Sequence, residues 1–138
     1  MISIDWSLKV QVNGEEEIST SEGNYVEAYQ RIEVEIPPGG SEKVIDLQPS
    51  SAAKVSFILI KRATYDSNDD KLTYKVSNGD ATKDSKVIVL NGTHIYTKGI
   101  LSSLFPDPKI LKFTNNHPVN DTTKKIPIQI LLGRDALN

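Results

Sequence analysis

The chain holds two histidines and no cysteine in 138 residues, and these counts bound its chemistry before any fold is considered. Without thiols there are no disulfides, no cysteine nucleophile and no Cys-ligated zinc or iron–sulfur site. A metal enzyme on a cupin-like barrel needs several histidines converging with a carboxylate. His94 follows the turn pair Asn91-Gly92, and His117 lies apart in Asn115-Asn116-His117-Pro118. Both are expected to be ordinary strand and turn residues. Serines are plentiful, but no Gly-x-Ser-x-Gly elbow presents one as a nucleophile. A triad assembled from distant positions leaves no such trace. Glu33 and Glu35 have the spacing of two carboxylates on one strand face. They share that face with tyrosines and an arginine, so a solvated surface is expected rather than an acid/base pair. No Gly-x-Gly-x-x-Gly and no Walker loop cradles phosphate.

The run Asp66-Ser67-Asn68-Asp69-Asp70 comes nearest to a ligand loop. Asp66, Asn68 and Asp70 take the first, third and fifth places of a calcium loop, where side-chain oxygens converge on the ion. Lys71 then stands where that loop needs glycine, and Ser77 where it needs a bidentate glutamate. An Asp/Asn turn is expected, with a loose divalent-ion site as its alternative. No cofactor and no catalytic residue is assigned. Two groups have the character of contact surfaces. Tyr25, Tyr29 and Arg31 share an outer strand stripe, and tyrosine and arginine are favoured in interfaces. Ile100, Leu101, Leu104 and Phe105 put four large apolar residues in one short segment, which either docks a partner or caps the core.

The elements that position these residues are nearly all strands. Ile2, Ile4, Trp6, Leu8, Val10 and Val12 alternate with polar residues, a period of two that marks a strand with one apolar face. Trp6 on that face is expected in the core. Tyr25 to Ile36 reads as a second strand, ended by Pro37-Pro38-Gly39-Gly40. Lys43 to Leu47 is a short strand closed by Pro49, Ser50 and Ser51. Lys54 to Lys61 is apolar on both faces, as a central strand covered on both sides would be. Lys71 to Ser77 alternates again, and Asn78-Gly79 turns the chain. Lys86 to Leu90 and Thr93 to Thr97 flank Asn91-Gly92 and read as a hairpin with a type I′ turn. Lys109 to Thr114 and Lys125 to Leu132 are the last strands, Pro127 arguing for an edge or an irregular start. A helical turn over Ile100 to Phe105 is the one exception. About nine short strands predict a single all-β domain over residues 1–138. An antiparallel sandwich is expected, with a jelly roll as one form of its connections and a closed barrel as the alternative.

Charge and size limit the partners. The net charge is −2, without the basic face that nucleic acid requires. Residues 14–36 carry seven acids and one base, whereas residues 109–138 carry five bases and two acids. Solvated faces are the ordinary reading, and complementary patches meeting in an oligomer the sharper one. The N-terminal segment has no basic, apolar pattern of a cleavable signal, and no apolar run spans a membrane. Asn91-Gly92-Thr93 and Asn120-Asp121-Thr122 match the glycosylation pattern and are read as turns.

In general style, as a small, Cys-free, β-rich and near-neutral chain, it resembles the capsid decoration or cement proteins of tailed bacteriophages and other minor virion proteins. That resemblance implies a non-enzymatic homo-oligomer, often a trimer, made in the host cytoplasm and carried on the virion. It further implies that the oligomer ties neighbouring major capsid protein subunits together, with no nucleic acid and no membrane among its partners. A carbohydrate-binding or lectin-like sandwich is the alternative, its tyrosines stacking on sugar and Asp66 to Asp70 holding calcium.

Overall fold

A computed structural model describes residues 1–47 and 53–136. Ten strands and one short helix follow in order: β1 Ile2–Val10, β2 Ile18–Val26, β3 Ala28–Ile36, β4 Glu42–Asp46, β5 Ala53–Arg62, β6 Leu72–Ser77, β7 Ile88–Val89, β8 Thr93–Tyr96, α1 Lys98–Leu104, β9 Ile110–Asn115 and β10 Ile126–Ala136. Strands β3 to β10 form two four-stranded antiparallel sheets, in the orders β3-β10-β5-β8 and β4-β9-β6-β7. The first strand thus lies beside the last, the second beside the next to last, and so inward. This nested pairing makes the sandwich a jelly roll. Pro49, Ser50 and Ser51, expected to close β4, lie outside the described residues.

Alternation builds the core between the sheets. Leu72, Tyr74 and Val76 of β6 and Leu111 and Phe113 of β9 face Ile128, Ile130 and Leu132 of β10 and Ile58 and Ile60 of β5. A β-bulge shifts the parity of β5. Gly133 pairs with Phe57 and Arg134 with Val55, so Ser56 is the additional residue. Val55 therefore faces the main core while Phe57 faces the opposite way.

The cover for Phe57 is the hairpin β1–β2, which stands apart from both sheets. Ile4 and Val26 seat on Phe57, with Ile2, Trp6, Leu59, Ile95 and Leu131 around them. Gly133 makes the notch for this contact, because a Cβ there would lie 2.8 Å from Val26 Cγ1 and 2.9 Å from Ile4 Cδ1. The double-sided apolarity of β5 is thereby satisfied.

Several expectations are corrected. Tyr25 to Ile36 is two strands broken at Glu27, whose N–H donates to the Arg134 carbonyl instead of continuing a ladder. Asn91-Gly92 turns no hairpin: β7 pairs with β6 in one sheet and β8 with β5 in the other, and Gly92 does not take a positive φ. Trp6 is half-buried against the outer cluster rather than in the core between the sheets. Pro127 is not at an edge, since β10 lies between β3 and β5. It is the second residue of that strand, and its carbonyl accepts from the Ala63 N–H just past the end of β5, so its missing donor falls beyond the β5 ladder.

Candidate functional site

Two places combine residues in ways the ladder alone does not require, and they lie at opposite ends of β10. The first is the β1–β2 arm. Its nine-residue strands reach about 30 Å at the usual rise per residue. One face runs Ile2, Ile4, Trp6, Leu8, Val10 on β1, opposite Val26, Asn24, Glu22, Thr20, Ile18 on β2. The inner half of that face is seated on the sandwich. The outer half is not: Leu8 is 51%, Val10 49%, Val12 65% and Ile18 73% exposed. Trp6 Nε1 and Asn24 Nδ2 are buried without a hydrogen-bond partner among the described residues. The turn is set by Asn13-Gly14, with Gly14 at φ 81° and the Glu15 N–H donating to the Val12 carbonyl at 2.9 Å. Glu15, Glu16 and Glu17 follow at the tip, all exposed, and Glu17 pairs with Lys9 at 3.5 Å.

The second place is the loop end, where β5 runs out and β10 begins. Asp69 Oδ2 accepts from Arg62 Nη2 at 3.1 Å and lies 3.1 Å from His117 Nε2. Its Oδ1 accepts from the Lys71 N–H at 2.9 Å. Burial by itself would raise the Asp69 carboxyl, but the Lys71 N–H, the His117 ring and the Arg62 guanidinium outweigh it and bring it down to about 2. Arg62 Nη1 donates to the Leu90 carbonyl at 3.1 Å, and its Nε–H has no partner among the described residues. The fully buried Asn115 amide donates to the Ile36 and Lys124 carbonyls, tying this end together. A cleft of about 250 Å³ opens over the cluster, with Tyr65, Lys124 and Lys125 on its walls.

Inside the sandwich, the Tyr74 hydroxyl lies 2.6 Å from His94 Nδ1 and 2.5 Å from the Tyr96 hydroxyl. Burial, then the hydrogen bond and charge of Tyr96, push the Tyr74 hydroxyl far up, and burial lowers His94. The trio satisfies its own polar groups within the core.

The residues singled out from sequence are dispersed. Leu101 and Phe105 are core residues, 2% and 8% exposed, while Ile100 and Leu104 on the neighbouring stripe of the segment are open at 49% and 58%. Tyr25 and Tyr29 are both exposed but belong to different sheets, and Arg31 is exposed on β3. Asp66 Oδ1 accepts from the Asn68 N–H in an Asx turn, and Asp70 faces Lys71 at 4.0 Å. No three His, Asp or Glu residues are arranged to hold a metal ion among the described residues. Among the described residues, the side-chain partner of the His117 ring is Asp69. Arg62 had no signal in sequence, and Asp69 lay in the flagged Asp66 to Asp70 run without being one of its spaced positions. The arm had a signal, Asn13-Gly14 beside an alternating strand. No helix among the described residues is long and apolar enough to cross a membrane.

The class defined here is a jelly-roll sandwich with an appended β-arm. No protein-family model matches the chain, and no curated protein matches it either.

Proposed function

We propose that the protein is a non-enzymatic assembly protein, a homo-oligomer that cements a larger shell in the manner of a capsid decoration protein bound to major capsid subunits. The observation that carries this reading is the arm. A two-stranded hairpin is marginal in water, yet this one holds Leu8, Val10, Val12 and Ile18 in the open on and beside one face. Apolar side chains clustered on an extended element mark a surface that a protein partner covers. Repeated weak contacts on a shell then add through multivalency.

Light scattering of the pure protein, with calcium and then with chelator, tests this. A stable oligomer indifferent to chelator is expected. A monomer at all concentrations, or a mass that depends on calcium, would overturn the reading and favour the binding-module alternative.

A further inference from the structure

We infer that the arm of one copy docks, tip first, into the cationic cleft at the loop end of the next copy, so that the chain associates head to tail. This rests on the self-assembly reading above and specifies its contact. The donor and acceptor lie at opposite ends of one strand. The arm seats on Gly133 near the end of β10, and the cleft is walled by Lys125 and Ile126 at its start. No residue of the arm lines the cleft of its own chain.

Charge identifies the occupant. The tip carries Glu15, Glu16 and Glu17, and neither Glu15 nor Glu16 has an ion-pair partner among the described residues. At the cleft, Lys124 and Lys125 are exposed and equally unpaired among the described residues. The Asp69 carboxylate beneath them is already neutralised by Arg62 at 3.1 Å, which leaves Asp66 as the one opposing charge on the cleft wall. Apolar surface matches as well. Val12 and Ile18 flank the acidic tip, and Tyr65 and Val119, 75% and 72% exposed, stand at the loop end. A carboxylate-bearing tip with apolar flanks therefore meets ammonium groups with apolar flanks. An interface between unlike patches is heterologous, so it closes into a ring or propagates as a filament.

The test is a charge swap in the full chain. Glu15→Lys with Glu16→Lys forms one variant, Lys124→Glu with Lys125→Glu a second, and all four changes a third. Mass is followed by sedimentation against concentration. Each of the first two should raise the midpoint concentration of association about tenfold or more, since like charges then face each other. The four-fold variant, and an equal mixture of the first two, should restore association to within about threefold of the wild type. All four positions are exposed, so the thermal transition should not move. If a reversal variant does unfold, the Gln set at the same positions takes its place and should weaken association without rescue. Association of the wild type that neither reversal disturbs, or a swap that restores nothing, overturns this contact and leaves the assembly reading standing. A wild-type monomer at every concentration overturns both.

Discussion

Asp69 shows how one side chain governs a loop end. Its carboxyl is held at about 2, below the ordinary 3.8, so the unfolded chain takes up the proton first as pH falls. The stabilisation is therefore complete above the ordinary value and is lost as pH drops toward 2. Solvent in the cleft screens the pair, so its contribution is at most about 2 kcal/mol. Asp69→Asn should flatten the acid side of the stability profile between pH 5 and 2.5, measured by urea unfolding; an unchanged slope would show that other carboxylates set it. Trp6 makes a second residue-scale case. Alternation placed it on the apolar face of β1, and it does lie there, but that face meets the outside of a sheet. A half-buried tryptophan loses less on truncation than a core one. Trp6→Ala should cost about 1–2 kcal/mol rather than the 3–5 of a full core site. Denaturant unfolding separates the two.

At the scale of elements, α1 and the hairpin divide what sequence could and could not reveal. The segment Ile100 to Phe105 read as a helical turn, and it is one. Its direction was undecidable, because Ile100 with Leu104 and Leu101 with Phe105 make two adjacent i, i+4 stripes about 100° apart, either of which could meet the core. The core takes Leu101 and Phe105 and leaves Ile100 and Leu104 outside. Phe105→Ala should therefore cost about 3–5 kcal/mol and Leu104→Ala within about 0.5, read from chemical denaturation. Strand existence was legible wherever one face is buried, as in β5, β6, β9 and β10. It failed for β2, whose Ser19, Thr20, Ser21, Glu22 and Gly23 show no apolar period, because β1 supplies nearly all the apolar face of that pair. Pairing was less legible still. Asn91-Gly92 had the composition of a hairpin turn and instead carries the chain from one sheet to the other, since jelly-roll pairing is settled by distant strands. The Arg62–Asp69–His117 pairing was hidden for the same reason: Arg62 ends β5, Asp69 precedes β6 and His117 follows β9, so its members meet only when β6 has paired with β9 and β5 is in place. Gly133 tests the seat of the arm. Gly133→Val would push against Val26, Ile4 and Phe57, at a cost of about 1–3 kcal/mol. Hydrogen exchange should show β1 and β2 losing protection while β10 and β5 keep theirs; uniform loss would mean that the arm and sandwich unfold as one.

The whole molecule combines a two-sheet body with an arm whose far half satisfies little by itself. Every strand of the body is paired within a four-stranded sheet, and the interior polar trio of Tyr74, His94 and Tyr96 is bonded internally. The arm is built differently. Its two strands pair only with each other, Leu8, Val10 and Ile18 lie open together on one face, and Trp6 and Asn24 carry buried donors without acceptors among the described residues. The inner half of the arm is held by its seat on Phe57, whereas the outer half gains burial only in association, so its outer side chains should matter to assembly and not to the fold of the monomer. Val10 and Ile18 are opposite one another across the arm and both open, which makes them the sharpest pair to change. Val10→Asp with Ile18→Lys keeps the net charge and removes the apolar surface. This variant should associate about tenfold more weakly by sedimentation, with its thermal transition unchanged when measured at dilution. Salt distinguishes its effect from that of the acidic tip. Screening weakens contacts between exposed charges but not apolar burial, so added salt should weaken assembly of the wild type and leave this variant's residual, charge-driven assembly the more salt-sensitive of the two. Equal association of variant and wild type would mean that the open face of the arm is not where the copies meet.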